Sequence, residues 1–140
     1  FIRIKVIKVL IIHGPNMNLL GLKNSDKHSN LTLDKINTRL RIAVKEKDIK
    51  LTIIQEHSES RVVSFLHKKR KKYDHIVISP GVWNINGYLI RETLSIINLP
   101  LSIISSNEYK SSIFDDIIDK TDIIIDNDYI DGYLKILESL

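Results

Sequence analysis

The sequence predicts an α/β fold, a parallel sheet held between two layers of helices. Short apolar runs of strand length alternate with longer segments of helical periodicity along the chain, the pattern of repeated βα units. Two of those runs, VLII before His13-Gly14-Pro15 and HIVIS before Pro80-Gly81, are nearly continuous in apolar residues and stop abruptly. A strand covered on both faces reads this way, whereas a half-exposed strand alternates. Right-handed crossovers between parallel strands then put helices on both sides of the sheet.

The first strand runs through Val9 to Ile12 and ends where Gly14 relaxes the backbone and Pro15 fixes it, so the chain turns there. Asn16 and Asn18 follow. Leu22 to Asn30 is polar and aperiodic, and longer than the ~2–6 residues usual for a strand-to-helix connection, which marks it as a functional loop. Thr32 or Asn30 caps a helix reaching about Glu46, with Leu33, Ile36, Leu40 and Val44 on one face. Lys50 to His57 is the second strand. Ser58 or Ser60 opens a helix through Lys72 that buries Val62, Val63, Phe65 and Leu66.

His75 to Ser79 is the third strand, and Asn86 to Asn98 a helix with Leu89, Ile90, Leu94 and Ile97 apolar. Leu101 to Ser105 is the fourth strand, followed by a polar run to Ser112 and a short helix from Ile113 to Asp119. Asp122 to Ile125 is the fifth strand. Asp128 to Leu140 closes the chain as a helix with Tyr133, Leu134 and Leu137 inward. Five strands so spaced suit the order 2-1-3-4-5, a flavodoxin-like three-layer sandwich. Residues 1–140 read as one domain, without repeat or linker.

Composition narrows the function classes. With 43% hydrophobic and 27% charged residues in 140, one real core is expected. The absence of cysteine excludes disulfides, Cys-based zinc sites and thiol catalysis. No apolar run approaches the ~18 residues of a membrane span. The start, FIRIKVIKVLII, lacks a small-residue cleavage site and reads as strand rather than signal peptide, so a cytoplasmic protein is expected. The net charge of +4 is concentrated in Lys68-Lys69-Arg70-Lys71-Lys72. That run falls where a helix ends, where cations complement the dipole, and it lacks interleaved aromatics to stack on bases. It reads as a solvated helix end, with no nucleic-acid partner.

Parallel topology gathers every strand-to-helix loop at one edge of the sheet, where ligands of such folds bind. Asn16, Asn18 and Lys23 to His28 lie there, with Ser79, Trp83 to Asn86, and Ser105 to Ser111. Singly, such residues make turns; together they point to a site. No phosphate loop, dinucleotide fingerprint or His-Glu-x-x-His is present, so neither metal nor cofactor is expected. His28, beside Lys23 and Asp26, is the candidate acid or base, because imidazole titrates near neutral pH. His13 reads as structural, and His57 and His67 lack metal-ligand spacing.

The stretch His13 to Ile36, with GPNMNLLG at its start, resembles the amino-terminal signature of type II dehydroquinases. Further pieces recur in family order: Gln55 with Ser58-Glu59, Pro80-Gly81, Arg91, Leu99-Pro100, Ser106-Asn107 and Gly132-Tyr133-Leu134. The resemblance implies a flavodoxin-like fold and dehydration of 3-dehydroquinate to 3-dehydroshikimate, by anti-elimination through an enolate without cofactor. It also implies self-association of trimers into dodecamers.

Carried over by position, Asn16 matches the asparagine on the enolate side. Lys23 stands at the family's arginine, keeping the charge but not the planar fork. His28 stands at its base tyrosine, and a neutral imidazole can accept the proton. Ser79, Ile85 and Glu92 occupy positions that bind substrate in the family, Glu92 at an inter-subunit aspartate; Ser106 and Asn107 match its Ser-Asn pair. Counting back from Asn107 puts Ile104 at the acid histidine, whereas counting forward from Pro100 puts Ser105 there. Trp83 and Ile85 form a bulky apolar pair that, inside the pocket, would weaken binding of a polyhydroxylated acid. The alternatives are a relative kept for assembly or ligand binding, and, on fold analogy alone, a phosphate or flavin binder.

Overall fold

The computed structural model describes residues 5–23, 31–106, 109, 111–117, 120–124 and 129–140. Strand β1 (Ile7–His13) lies inside a parallel sheet of order β2-β1-β3-β4-β5, with β2 Ile49–Gln55, β3 His75–Ser79, β4 Leu101–Ser106 and β5 Lys120–Ile124. The predicted α/β class with a parallel sheet is what forms. β1 pairs with β2 on one side and β3 on the other, and His13 stands in register with both Gln55 and Ser79. Three strands therefore end at one level.

The continuous apolar run of β1 is explained by its two faces. Val9 and Ile11 join Val77 and Ile104 under α2 (Leu33–Val44) and α6 (Tyr129–Glu138), whose Ile36, Leu40, Tyr133 and Ile136 are buried against them. Leu10 and Ile12 point the other way, into a cluster with Val62 and Leu66 of α3 (Glu59–Lys69), Ile90 and Leu94 of α5 (Tyr88–Ile97), and Phe114. Each fully buried Leu or Ile contributes about 1.5–3 kcal/mol relative to an exposed one, so the two-sided strand anchors the domain.

Local chemistry sets the boundaries. Thr32 caps α2 by accepting from the Lys35 N–H, and Ser58 caps α3 by accepting from the Arg61 N–H, at 3.3 and 3.4 Å. Asn98 ends α5 in the left-handed region at φ 55°.

Several expected elements differ. Met17–Leu19 forms a 3-10 turn leading into a short helix α1 (Leu20–Lys23), because Met17 and Leu20 are buried and hold the chain down. A helical turn α4 (Trp83–Asn86) precedes α5 and is separated from it by Gly87, where a Cβ would meet the Trp83 Cβ at 2.7 Å. The helix expected from Ile113 is a pair of three-residue turns over 113–117, closed by Asp115 N–H to Ser112 O and Ile117 N–H to Phe114 O. β5 begins at Lys120, and residues 125–128 lie outside the described residues. In α5 Leu89 is exposed, and in α6 Ile136 replaces Leu134 as a fully inward residue.

Candidate active site

At the carboxyl edge of the sheet the end of β1 is stitched by backbone to the ends of β3 and β2. Gly14 N–H donates to Ser79 O at 2.9 Å, and Glu56 N–H donates to His13 O at 2.9 Å. A Cβ on Gly14 would sit 2.5 Å from Ser79 O. Gly14 is therefore required by close approach, and the freedom of backbone angle expected of it belongs instead to Gly81, at φ 55°. Asn16 also adopts the left-handed region, at φ 66°, which asparagine tolerates better than most residues. That turn leaves Asn16 exposed at the edge.

Beneath the edge runs a buried polar relay. His13 donates from Nε2 to Asn37 Oδ1 at 2.8 Å, so its Nδ1 is free to accept from the Tyr133 hydroxyl at 3.0 Å. The Tyr133 oxygen in turn accepts from Ser79. His13, Tyr133 and Ser79 are all buried. Burial, opposed by the Asn37 hydrogen bond, lowers the His13 pKa from 6.5 to about 4, so the ring is neutral at pH 7. Burial likewise pushes the Tyr133 phenol up, against the Ser79 hydrogen bond. The relay is a neutral, satisfied support, and the structural reading of His13 holds. Ser79, expected to contact substrate, directs its hydroxyl to Tyr133 within this relay.

On the other face of β4, Asn84 donates from Nδ2 to Ser105 Oγ at 3.0 Å and to Gly81 O at 2.9 Å. Its Oδ1 is buried and has no hydrogen-bond partner among the described residues. Ile113 N–H donates to Asn84 O at 3.0 Å, and Arg91 Nε donates to Ile113 O at 2.7 Å, so the turns over 113–117 are tied to the site. Arg91 also pairs with Asp116.

The structure separates the two positions suggested for the acid. Ile104 packs in the cluster under α6, whereas Ser105 faces Asn84 with a hydroxyl that can exchange a proton. Ser106 is half-buried at the end of β4. The Trp83–Ile85 pair comes apart: Trp83 is buried in the α3–α5 cluster, because α4 turns it inward, while Ile85 is 60% exposed. Glu92 is exposed on α5. The Lys23 side chain, His28 and Asn107 lie outside the described residues.

His57, which lacks metal-ligand spacing, also reaches the edge. The Asn16 N–H donates to His57 Nδ1 at 3.3 Å, and the ring is exposed. The signal was available, since His57 is the last residue of the expected second strand and parallel topology carries that end to this side. Asn84 lies within the Trp83 to Asn86 stretch that the topology already placed at this edge. Asn16, His57, Ser105 and Asn84 thus offer amide, imidazole and hydroxyl groups at one edge, enough for proton transfer and for holding an oxyanion or water.

The family profile described as Dehydroquinase class II matches residues 7–116. A 3-dehydroquinate dehydratase of Clostridium botulinum (strain 657 / Type Ba4) is 34% identical over 103 residues, covering 73% of this chain and 70% of the relative. The 3-dehydroquinate dehydratase of Pelotomaculum thermopropionicum is 32% identical over 108 residues, covering 76% and 75%. The crystal structure of a type II dehydroquinase from Butyrivibrio crossotus superimposes with a TM-score of 0.83 at 20% identity, over 95% of this chain and 96% of that one.

Proposed function

Because the chain belongs to the class II dehydroquinase family, we propose that it dehydrates 3-dehydroquinate to 3-dehydroshikimate, a step of the shikimate route to aromatic amino acids. The observation that carries this reading is the Gly14-Pro15-Asn16 corner, which leaves Asn16 exposed at the same carboxyl edge of the parallel sheet at which β4 ends in Ser105 and Ser106. The domain then works as a flavodoxin-like sandwich with its site at that edge.

In the proposed cycle His28 takes the proton beside the ketone, helped by the charge of Lys23, and the electron pair moves into an enolate. Asn16 holds the enolate through a water molecule, which lowers the energy of the charge as it develops. The enolate then collapses to the conjugated enone while the C–O bond to the leaving hydroxyl breaks. That hydroxyl takes up a proton relayed by Ser105, directly or through water, and departs as water. Ser79, Ser106 and Asn107 hold the substrate, Ile85 stands at a binding position without a hydrogen bond to offer, and Glu92 serves the site of a neighbouring subunit. A hydroxyl is a weaker acid than imidazole, and losing a positioned general acid costs ~10²–10⁴-fold, so turnover is expected to be slow.

No helix among the described residues is long and apolar enough to cross a membrane, and the reaction is assigned to the cytoplasm. Val82, Ile85, Tyr88 and Leu89, before α4, on α4 and on the α5 that carries Glu92, are exposed apolar residues, which supports self-association through α4 and α5 into trimers and then a dodecamer.

The test follows the enone by its ultraviolet absorbance in purified wild-type protein and in His28→Ala. Turnover that disappears in the variant is the expected result. Substrate binding without turnover in the wild type would overturn the reading in favour of a relative kept for binding or assembly.

A further inference from the structure

Far from the carboxyl edge, the amino-terminal ends of β1 and β2 meet the end of α3 around a cleft of about 450 Å³. Lys8, Lys50, Lys69 and Lys72 line it, with Phe65 and Tyr73. Two of the five residues of the basic run read as a solvated helix end, Lys69 and Lys72, thus line the cleft with two lysines contributed by strands more than a dozen residues away. Lys8 and Lys50 are register partners in adjacent parallel strands, so they share a face, and like charges directly opposite one another are destabilising.

Among the described residues, no carboxylate forms an ion pair with any of the four lysines. Asp74, next to Tyr73, directs its carboxylate to the Lys8 backbone N–H at 2.9 Å. The carboxyl end of α3 contributes only about half a negative charge. Phe65 and Tyr73 stack with ring centroids 6.3 Å apart and planes inclined by 26°, giving the cleft a flat apolar side. Thr52 adds a hydroxyl from β2.

We propose that this cleft binds a compact polyphosphate anion, either inorganic or the phosphate chain of a nucleotide. Several cations around one concavity match several charges carried on one small ligand, whereas a nucleic-acid backbone calls for a basic stripe. A polyphosphate supplies enough oxygens for charge-assisted hydrogen bonds to four ammonium groups at once. If the ligand is a nucleotide, its base gains the Phe65–Tyr73 side. The site is independent of the dehydratase reading, since none of its residues belongs to the carboxyl edge.

The experiment is calorimetric titration of the full chain with inorganic tripolyphosphate and, separately, with adenosine triphosphate, using sulfate as the control for general anion binding. The expected result is saturable binding at one site per chain, weakened at least about tenfold in Lys50→Gln/Lys69→Gln as two charge-assisted contacts are lost. Tighter adenosine triphosphate binding that drops to the tripolyphosphate level in Phe65→Leu identifies the nucleotide as the source; equal affinity identifies the phosphate chain alone. Absence of saturable binding to the folded wild type overturns the proposal. So does equal affinity in the double variant, or binding of a single-stranded oligonucleotide in place of either anion. Lys50→Gln alone, on the exposed end of an edge strand, provides a second variant if the double substitution perturbs folding.

Discussion

His13 shows how one burial event fixes both a support and a pH dependence. Its folded pKa of about 4 lies below the ordinary 6.5. Above pH 6.5 neither the folded nor the unfolded chain protonates this ring, and its contribution to stability is complete. As pH falls below 6.5 the unfolded chain takes up a proton that the folded one refuses, so stability drops until the folded pKa is passed near 4. The loss through that window reaches about 3 kcal/mol. Urea midpoints at pH 7 and pH 5 should differ more for wild type than for His13→Gln. Tyr133 is the hinge of the same relay, tied to both His13 and Ser79. Tyr133→Phe leaves a buried acceptor and a buried hydroxyl without their partner, at a cost of about 1–3 kcal/mol each way it is counted. Chemical denaturation measures this loss.

At the scale of elements, helices and central strands were legible because two-sided burial leaves a strong trace. β3 was read from His75 to Ser79, the bounds it has, since every one of its residues is buried and Pro80 stops it. α2 and α3 were legible from periodicity and from their caps, and the structure chooses Thr32 and Ser58 from the alternatives. Ser58→Ala should lower stability by about 1 kcal/mol through the lost cap, read as a shift in denaturant midpoint at unchanged slope. The short pieces were not legible. α1 and α4 are four residues each and exist because Leu20 and Trp83 are pulled inward by distant elements, a tertiary cause with no local signature. The turns at 113–117 mimic a helical pattern locally but are held by Arg91 and Asn84. The site followed the same rule. The exposed Asn16 corner was legible from Gly14-Pro15, whereas the hydrogen bond of Ser79 to Tyr133 was not, because the two lie 54 residues apart.

At the scale of the whole molecule, one edge of the sheet carries the proposed chemistry and the opposite end carries the lysine cleft, with β1 running between them. The exposed apolar residues of α4 and α5 concern assembly. Leu89→Asp places a charge in the proposed subunit contact and should reduce the assembly to smaller species, detected as a fall in mass by light scattering while circular dichroism stays unchanged. Because Glu92 is proposed to serve a neighbouring site, the same variant should lose activity along with mass.

The central claim is that this edge dehydrates 3-dehydroquinate with Asn16 at its heart. The most direct measurement is kcat/KM for appearance of the enone in wild type and Asn16→Ala, both first shown to be folded and assembled. Measurable turnover in the wild type, reduced ~10²–10³-fold in the variant by loss of a group that stabilises developing charge, is the predicted result. Absence of turnover in the assembled wild type, or equal rates in the two proteins, would contradict it.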